Sequence, residues 1–384
     1  MIYLDHAATT PVDPAVLEAM LPYLGAVYGN PSSVYGPGRE ARAAIDAARD
    51  TVAAALGAQS REVIFTSGGS ESDNLAIRGV AMRNRDRGNH LICSQVEHHA
   101  VLHTCQDLER AGFEVTYLPV DSDGLVRPED LRGALRANTL LVSVMIGNNE
   151  VGTIQPVREL AAMTHEHSAA YFHTDAVQAF GKIPVSADGL GADMLTISAH
   201  KIHGPKGVGA LYVRMGTRLQ PLITGGGHER NRRAGTENVA GIAGLAAAAR
   251  MAAENRDHDA AAMAGTRDRL IDGVLSRVEG ARLTGHPRER LPHHASFIIP
   301  GVEGDALLMR LDRAGVYASS GSACTSGSLE PSHVLLAMGI PPRDALSSLR
   351  LTVGKGTTAS AVDDALTLIV ENVGELRRAA AVVG

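Results

Sequence analysis

The sequence predicts an α/β protein whose larger part is a mainly parallel sheet covered on both faces by helices. Three observations carry that expectation. Short, continuous apolar runs recur along the first half of the chain, as they do in strands buried on both faces. Helical patterns fill the gaps between them, which is the βαβ alternation of a parallel sheet. The chain is also long, and 384 residues exceed one ordinary core, so either two domains or one large α/β unit is expected.

Taken in order, PGREARAAIDAARDTVAAALG places Ile45, Ala48, Val52, Ala55 and Leu56 on one helical face and closes on Gly57. The predicted strands are VIFT (63–66), LICS (91–94), VTYL (115–118), TLLVSVMI (139–146), AYFHT (170–174), MLTIS (194–198) and GALYV (209–213). Helical patterns follow Ser70, His99, Pro128 and Pro156. Two helices are expected next, reaching about residue 280, then strands near 295–300, 316–318 and 348–353 with helices between and after them. This later pattern reads as a smaller α+β domain. The expected division is a large domain over 14–258 and a small one made of 1–13 and 259–384.

The composition is that of a globular protein, 45% apolar and 20% charged. No apolar run approaches the ~20 residues of a membrane span, and MIYLDHAATTP has no basic segment leading into an apolar one. Three cysteines without paired spacing point to a reducing, cytoplasmic setting. A net charge of −6 without a long basic run argues against nucleic acid as a direct ligand.

In open α/β sheets, ligands collect beyond the carboxyl ends of the strands. VIFT is followed by SGGSESDN (67–74), where two glycines and a helix start offer free N–H groups to a phosphate. A well-capped helix with Ser70 at its N-cap reads the same way. AYFHT is followed by Asp175, an acid that either caps or pairs with a cationic ligand. MLTIS is followed by AHKIHGPKG (199–207), where Lys201 stands at a strand end. Partial desolvation there makes it a candidate Schiff-base nucleophile, although a solvated lysine is the ordinary alternative. A phosphate cradle, an acid and a lysine at one sheet edge are the parts that pyridoxal 5'-phosphate requires.

A separate signal is SSGSACTSGSLEPSHV (319–334), which sets Cys324 among serine, glycine and threonine, where nothing can bury it. Its reactivity would depend on a lowered thiol pKa.

The chain resembles the cysteine desulfurases of the class V aminotransferase superfamily, fold-type I pyridoxal phosphate enzymes. The motifs that carry the resemblance are YLDHAATTPVDP, GNPSS, FTSGGSESDN, EHHAV, NNEVG, HTDAVQ, SAHKIHGPKG, GGGHERNRRAGTEN and SSGSACTSGSLEPSHV. The last is similar to the NifS/IscS-like group with a long mobile loop. The resemblance implies that Lys201 holds the cofactor aldehyde and moves the Cα proton, that Asp175 pairs with the pyridinium nitrogen, and that Gln178 bonds the ring hydroxyl. It assigns His98 to stacking over the ring and proton shuttling. Gly69, Ser70, Ser198 and His200 would hold the phosphate, with Thr236 reaching the phosphate of a neighbouring subunit in a homodimer with shared sites. Asn149 would bind both cofactor and substrate, and Arg350 would grip the substrate carboxylate. Ala8 and Asn30 would line the substrate pocket.

The implied activity is removal of sulfur from L-cysteine, giving L-alanine and a persulfide on Cys324. The ten or so residues from Ser319 to Ser328 could carry that persulfide up to about 30 Å. The implied recipient is an acceptor protein such as an iron–sulfur scaffold or a tRNA-thiolation enzyme. No resident metal is implied, Cys324 touching a nascent iron–sulfur cluster only transiently.

Departures from the family pattern are SGGSES in place of SGATES, Ala234 in RAGT in place of serine, and His6 where tyrosine or asparagine is frequent. The chain ends at Gly384 after a helical pattern, without the tail that some relatives use to dock a scaffold.

Other residues read as ordinary packing or surface. Cys93 and Cys105 sit in apolar patterns. His99 and His103, at i and i+4, form half a metal site without further ligands. His165 and His167 fall on different helix faces, and the adjacent His293 and His294 have no companion. Arg230, Arg232 and Arg233 make either a solvated loop or a basic rim. An aminotransferase or selenocysteine lyase of the same fold, and a non-catalytic sulfur carrier, are the competing expectations. Cys324 argues against the aminotransferase, and the intact Lys201, Asp175, Gln178 and His98 against the carrier.

Overall fold

The structure, a computed structural model, describes residues 1–321 and 330–383. After an N-terminal strand β1 (Ile2–Tyr3), seven strands build the central sheet. They are β2 (Val63–Thr66), β3 (His90–Ser94), β4 (Glu114–Leu118), β5 (Thr139–Ser143), β6 (Tyr171–Asp175), β7 (Met194–Ser198) and β8 (Gly209–Val213). Their order is β2-β8-β7-β6-β5-β3-β4. The pairs from β7 through to β4 are parallel, whereas β8 runs antiparallel to both β7 and β2. The cause is the connection. Residues 199–208 are too few for the crossover that a parallel neighbour needs, so the chain turns straight back. Because β2 is reversed twice relative to β7, its carboxyl end still lies on the same edge as those of β3, β5, β6 and β7.

The strands are apolar on both faces because both are covered. One core unites Ile45, Val52, Phe172, Leu195 and Tyr212, and a second, across the sheet, unites Ile64, Leu75, Leu91 and Leu211. A third core lies around a small antiparallel sheet, β9 (Arg282–Leu283), β10 (His294–Ile298) and β12 (Ser348–Thr352), in the order β12-β10-β9. The short β11 (Val316–Tyr317) pairs in parallel with β1. No helix among the described residues is long and apolar enough to cross a membrane.

One expectation is corrected. The two helices foreseen before residue 280 are a single helix of 39 residues, Val239–Arg277. Ile242, Leu245 and Ala249 pack into the first core, and Leu270 and Val274 into the core of the small sheet.

The GGGHERNRR segment is held by a buried ion pair. Arg49 donates to both carboxylate oxygens of Glu229 at 2.6 and 2.7 Å and to the Val63 carbonyl at 2.8 Å, while the Phe65 N–H donates to Glu229 at 3.0 Å. Arg49 also lies over the Phe65 ring at 4.6 Å. Glu229 has φ 46°, a strained value for a non-glycine residue, so the pair holds the loop in a conformation that it would not choose alone. Truncating one partner leaves a buried, unpaired charge. Glu229→Ala should therefore lower unfolding free energy by about 3–5 kcal/mol, read from the urea midpoint.

Candidate active site

A cavity of about 250 Å³ opens at the carboxyl edge of the large sheet. Lys201 enters from the turn after β7, and its Nζ donates to the carbonyls of Ala7 and Ala8 at 2.5 and 2.7 Å. Asp175 is the last residue of β6 and Gln178 follows one turn later; the Gln178 amide donates to the Ala7 carbonyl at 2.9 Å. His98 caps the helix His99–Arg110, its Nδ1 accepting from the Ala100 N–H at 3.1 Å. Its proton therefore sits on Nε2 when the ring is neutral. Burial first, and then Lys201, push its pKa down to about 4, which keeps it neutral in use.

The helix after β2 begins at Gly69 with Gly68 as its N-cap and no side-chain cap, so the reading of Ser70 as N-cap is corrected. Gly68, at φ 152°, breaks the chain between β2 and the helix Gly69–Arg83. A Cβ on Gly69 would lie 2.9 Å from Val177 Cγ2, so only glycine lets this helix start come so close to the β6 loop. The first N–H groups of that helix have no intrahelical acceptor, and Gly69, Ser70, Ser198 and His200 all line the cavity.

Arg350, on β12, reaches the cavity from the other sheet and is only 3% exposed. It donates to Asp5 at 2.9 Å and to the Asn149 carbonyl at 2.9 Å. Ala8 and Asn149 line the same space. Two sequence candidates lie elsewhere within this chain. Asn30 is exposed and caps its own turn through the Ser32 N–H. Thr236 is exposed in a neighbouring groove with Ser67, Gly207 and Arg233. Cys324 lies outside the described residues, but both flanks of its segment are tied to the site. Ser319 pairs with the backbone of Arg350, and Ser332 donates to Glu150.

Asp73, Glu97 and His173, which sequence reasoning missed, lie at or beneath the cavity beside Asp175, which it had singled out. Asp73, Glu97 and Asp175 are buried carboxyls. Burial pushes Asp175 up to about 6, and burial with the nearby Asp175 holds Asp73 well above the carboxylate range. His173, 3.6 Å from Asp73, is kept neutral by burial, near pKa 3. Glu97, Asp73 and His173 fall within the motifs EHHAV, FTSGGSESDN and HTDAVQ, but nothing in those motifs marks them as buried. The histidine pair His99 and His103 is stacked at 4.8 Å, with His333 a further 4.8 Å from His99. Among the described residues no group of three or more is arranged to hold a metal ion.

The residues fit pyridoxal phosphate. Among the described residues, Asn149 Oδ1, Gln178 Oε1 and Arg350 Nε are buried polar atoms without hydrogen-bond partners, beside an acid that a cationic ring would keep ionised. When bound, that group supplies an electron sink for bonds at the substrate Cα and Cβ.

Glu97 accepts from Ser94 and the Met145 N–H at 2.6 and 2.9 Å, yet burial pushes its pKa from 4.5 up to about 8. The folded protein thus keeps a proton that the unfolded chain releases between those values, and its stability falls as pH rises through that window. Glu97→Gln removes the effect. Between about pH 4.5 and 8, each unit of rising pH should lower the stability of the wild type relative to the variant by up to about 1.4 kcal/mol, read from urea unfolding at successive pH values.

The comparisons agree with this geometry. The family model for aminotransferase class V matches residues 2–364. A cysteine desulfurase IscS from Methanosarcina thermophila is 50% identical, covering 98% of this chain and 93% of that relative. A solved NifS-like protein superposes with a TM-score of 0.92 at 40% identity, covering 97% of this chain and 99% of the other. SspA, solved in complex with cysteine, has a TM-score of 0.82 at 36% identity and covers 93% and 100%. With Lys201, Asp175, the Gly69 helix start and Arg350 lining one cavity, this chain belongs to the class V aminotransferases and, within them, to the pyridoxal-phosphate-dependent cysteine desulfurases.

Proposed function

We propose that the chain converts L-cysteine to L-alanine and stores the sulfur as a persulfide on Cys324. The observation that supports this best is the convergence of Lys201, Asp175, Gln178, His98 and Arg350 on one cavity. The cysteine bound to SspA, a relative of the same fold, agrees with the substrate.

Each residue has a task that its setting favours. Arg350, already oriented by Asp5, grips the substrate carboxylate. Asn149 and Ala8 bound the space beside it. Lys201, set between the carbonyls of Ala7 and Ala8, holds the cofactor aldehyde, takes the Cα proton and returns a proton to carbon. Asp175 accepts from the ring nitrogen and Gln178 contacts the ring hydroxyl. Gly69, Ser70, Ser198 and His200 hold the phosphate. His98, neutral and carrying its proton on Nε2, covers the ring and exchanges protons near the substrate sulfur.

In the sulfur step the Cys324 thiolate bonds to the substrate sulfur as the Cβ–S bond breaks. L-Cysteine and a thiol become L-alanine and a persulfide, so the atoms balance without an external oxidant. The persulfide then passes to an acceptor protein such as an iron–sulfur scaffold or a tRNA-thiolation enzyme. Thr236 lies in a groove apart from this chain's own cavity, in keeping with a homodimer in which it serves the partner's phosphate. Cys93 and Cys105 are free and buried, in keeping with the cytoplasm.

The deciding experiment measures alanine and sulfide from L-cysteine in the presence of a thiol reductant. Wild type should form both, Cys324→Ser should stay yellow yet form neither, and Lys201→Ala should be colourless. Alanine from Cys324→Ser at the wild-type rate would refute the role of Cys324. Arg350→Ala should raise KM for L-cysteine roughly 10–100-fold, with a smaller effect on kcat.

A further inference from the structure

The segment that supplies Asp175 and Gln178 also delivers a second lysine beneath the first. After Gln178 the chain turns at Gly181, φ 74°, where a Cβ would lie 2.7 Å from the Cβ of Ala252 on the 39-residue helix. Glycine permits this close approach, and the next residue, Lys182, is thereby turned inward. It is 6% exposed, and its Nζ donates to the main-chain carbonyl of Lys201 at 3.2 Å.

Buried lysines are usually paired with a carboxylate. None of the ion pairs among the described residues includes Lys182. Its surroundings are His6 and His203, the ammonium of Lys201, and Lys355, which is itself held by Asp13 at 2.6 Å; Asp259 lines the far wall, and His293 lies nearby. Burial and Lys201 together bring the Lys182 pKa down to about 7. Lys182 and Lys201 line a common rear cavity of about 50 Å³, while Lys201 also lines the front cavity with Asp175 and Arg350. The rear space is large enough for ordered water, so the remaining polarity of the Lys182 amine is not stranded.

We propose that Lys182 is a positioning residue whose amine fixes the main chain of Lys201 from the rear cavity. This rests on the reading of Lys201 as the cofactor-bound lysine. That lysine must let go of the cofactor, take a proton and return, and its reach is set by where its backbone is held. Small displacements of a reacting group are costly in rate. The lowered pKa of Lys182 also lessens its opposition to the positive charge that Lys201 acquires with the proton.

The test uses Lys182→Met, which keeps length without a donor, and Lys182→Gln, which restores a neutral N–H. Both are compared with wild type for kcat and KM on L-cysteine, for the affinity of the apoprotein for pyridoxal phosphate, and for thermal midpoint. Lys182→Met should lose about tenfold in kcat with KM little changed and bind pyridoxal phosphate several-fold more weakly. Lys182→Gln should recover most of both losses. The proposal is overturned if Lys182→Met matches wild type in kcat and cofactor affinity, or if Lys182→Gln is as impaired as Lys182→Met. If wild type binds the cofactor but forms no alanine, the desulfuration reading fails, while the affinities still decide the role of Lys182.

Discussion

The pairing of Arg350 with Asp5 is the interaction on which the site depends. The two residues are far apart in sequence, Asp5 in the N-terminal segment laid along β12, and they meet at 2.9 Å with Arg350 almost wholly buried. Asp5 also accepts from Ser319, and Arg350 donates to the carbonyl of Asn149 beside the large sheet. One guanidinium thus ties together the N-terminal segment, the small sheet, the loop after β5 and the root of the segment that carries Cys324. An arginine suits this place because its planar fork can serve two acceptors and still present Nε, and lysine offers only a point charge. The guanidinium is also confined by its bonds to Asp5 and Asn149, which leaves little of its freedom to be lost in any further contact.

Beneath the cavity the electrostatics follow from scarcity of countercharge. Three carboxyls share a dry interior with neutral histidines, and there is not enough positive charge to ionise them all. Burial raises the pKa of all three, and Asp73 and Asp175 line the same cavity. On the other side of Lys201 the sign is reversed, since burial and Lys201 lower the pKa of a second amine, Lys182. The site is therefore set between an interior short of cations and one short of anions.

Much of this was legible because topology turns strand ends into a list of neighbours. Lys201, Asp175 and the Gly69–Ser70 helix start each follow an apolar strand, and all those strands end at one edge. Asp73, Glu97 and Lys182 were not legible. They are charged residues in helix or turn positions, where sequence alone suggests contact with water, and only the packing of other segments removes them from it. Arg350 was reached through the family resemblance and not through any local pattern, because its meaning depends on a residue 345 positions away. The single long helix was missed because ENRDHD (254–259) interrupts its apolar pattern. A polar stretch changes which surface a helix presents but does not break its backbone, and no proline or glycine lies within those six residues.

That helix has a consequence for how the protein tolerates change. Its two ends are fitted into separate cores, and the polar middle merely spans the distance between them. Adding one residue in that middle would advance the far end by about 1.5 Å and rotate it by about 100°, so that Leu270 and Val274 would swing away from the small sheet even though neither had been altered. A surface stretch that looks free to vary in composition is thus fixed in length, like the shaft that keeps two gears in phase.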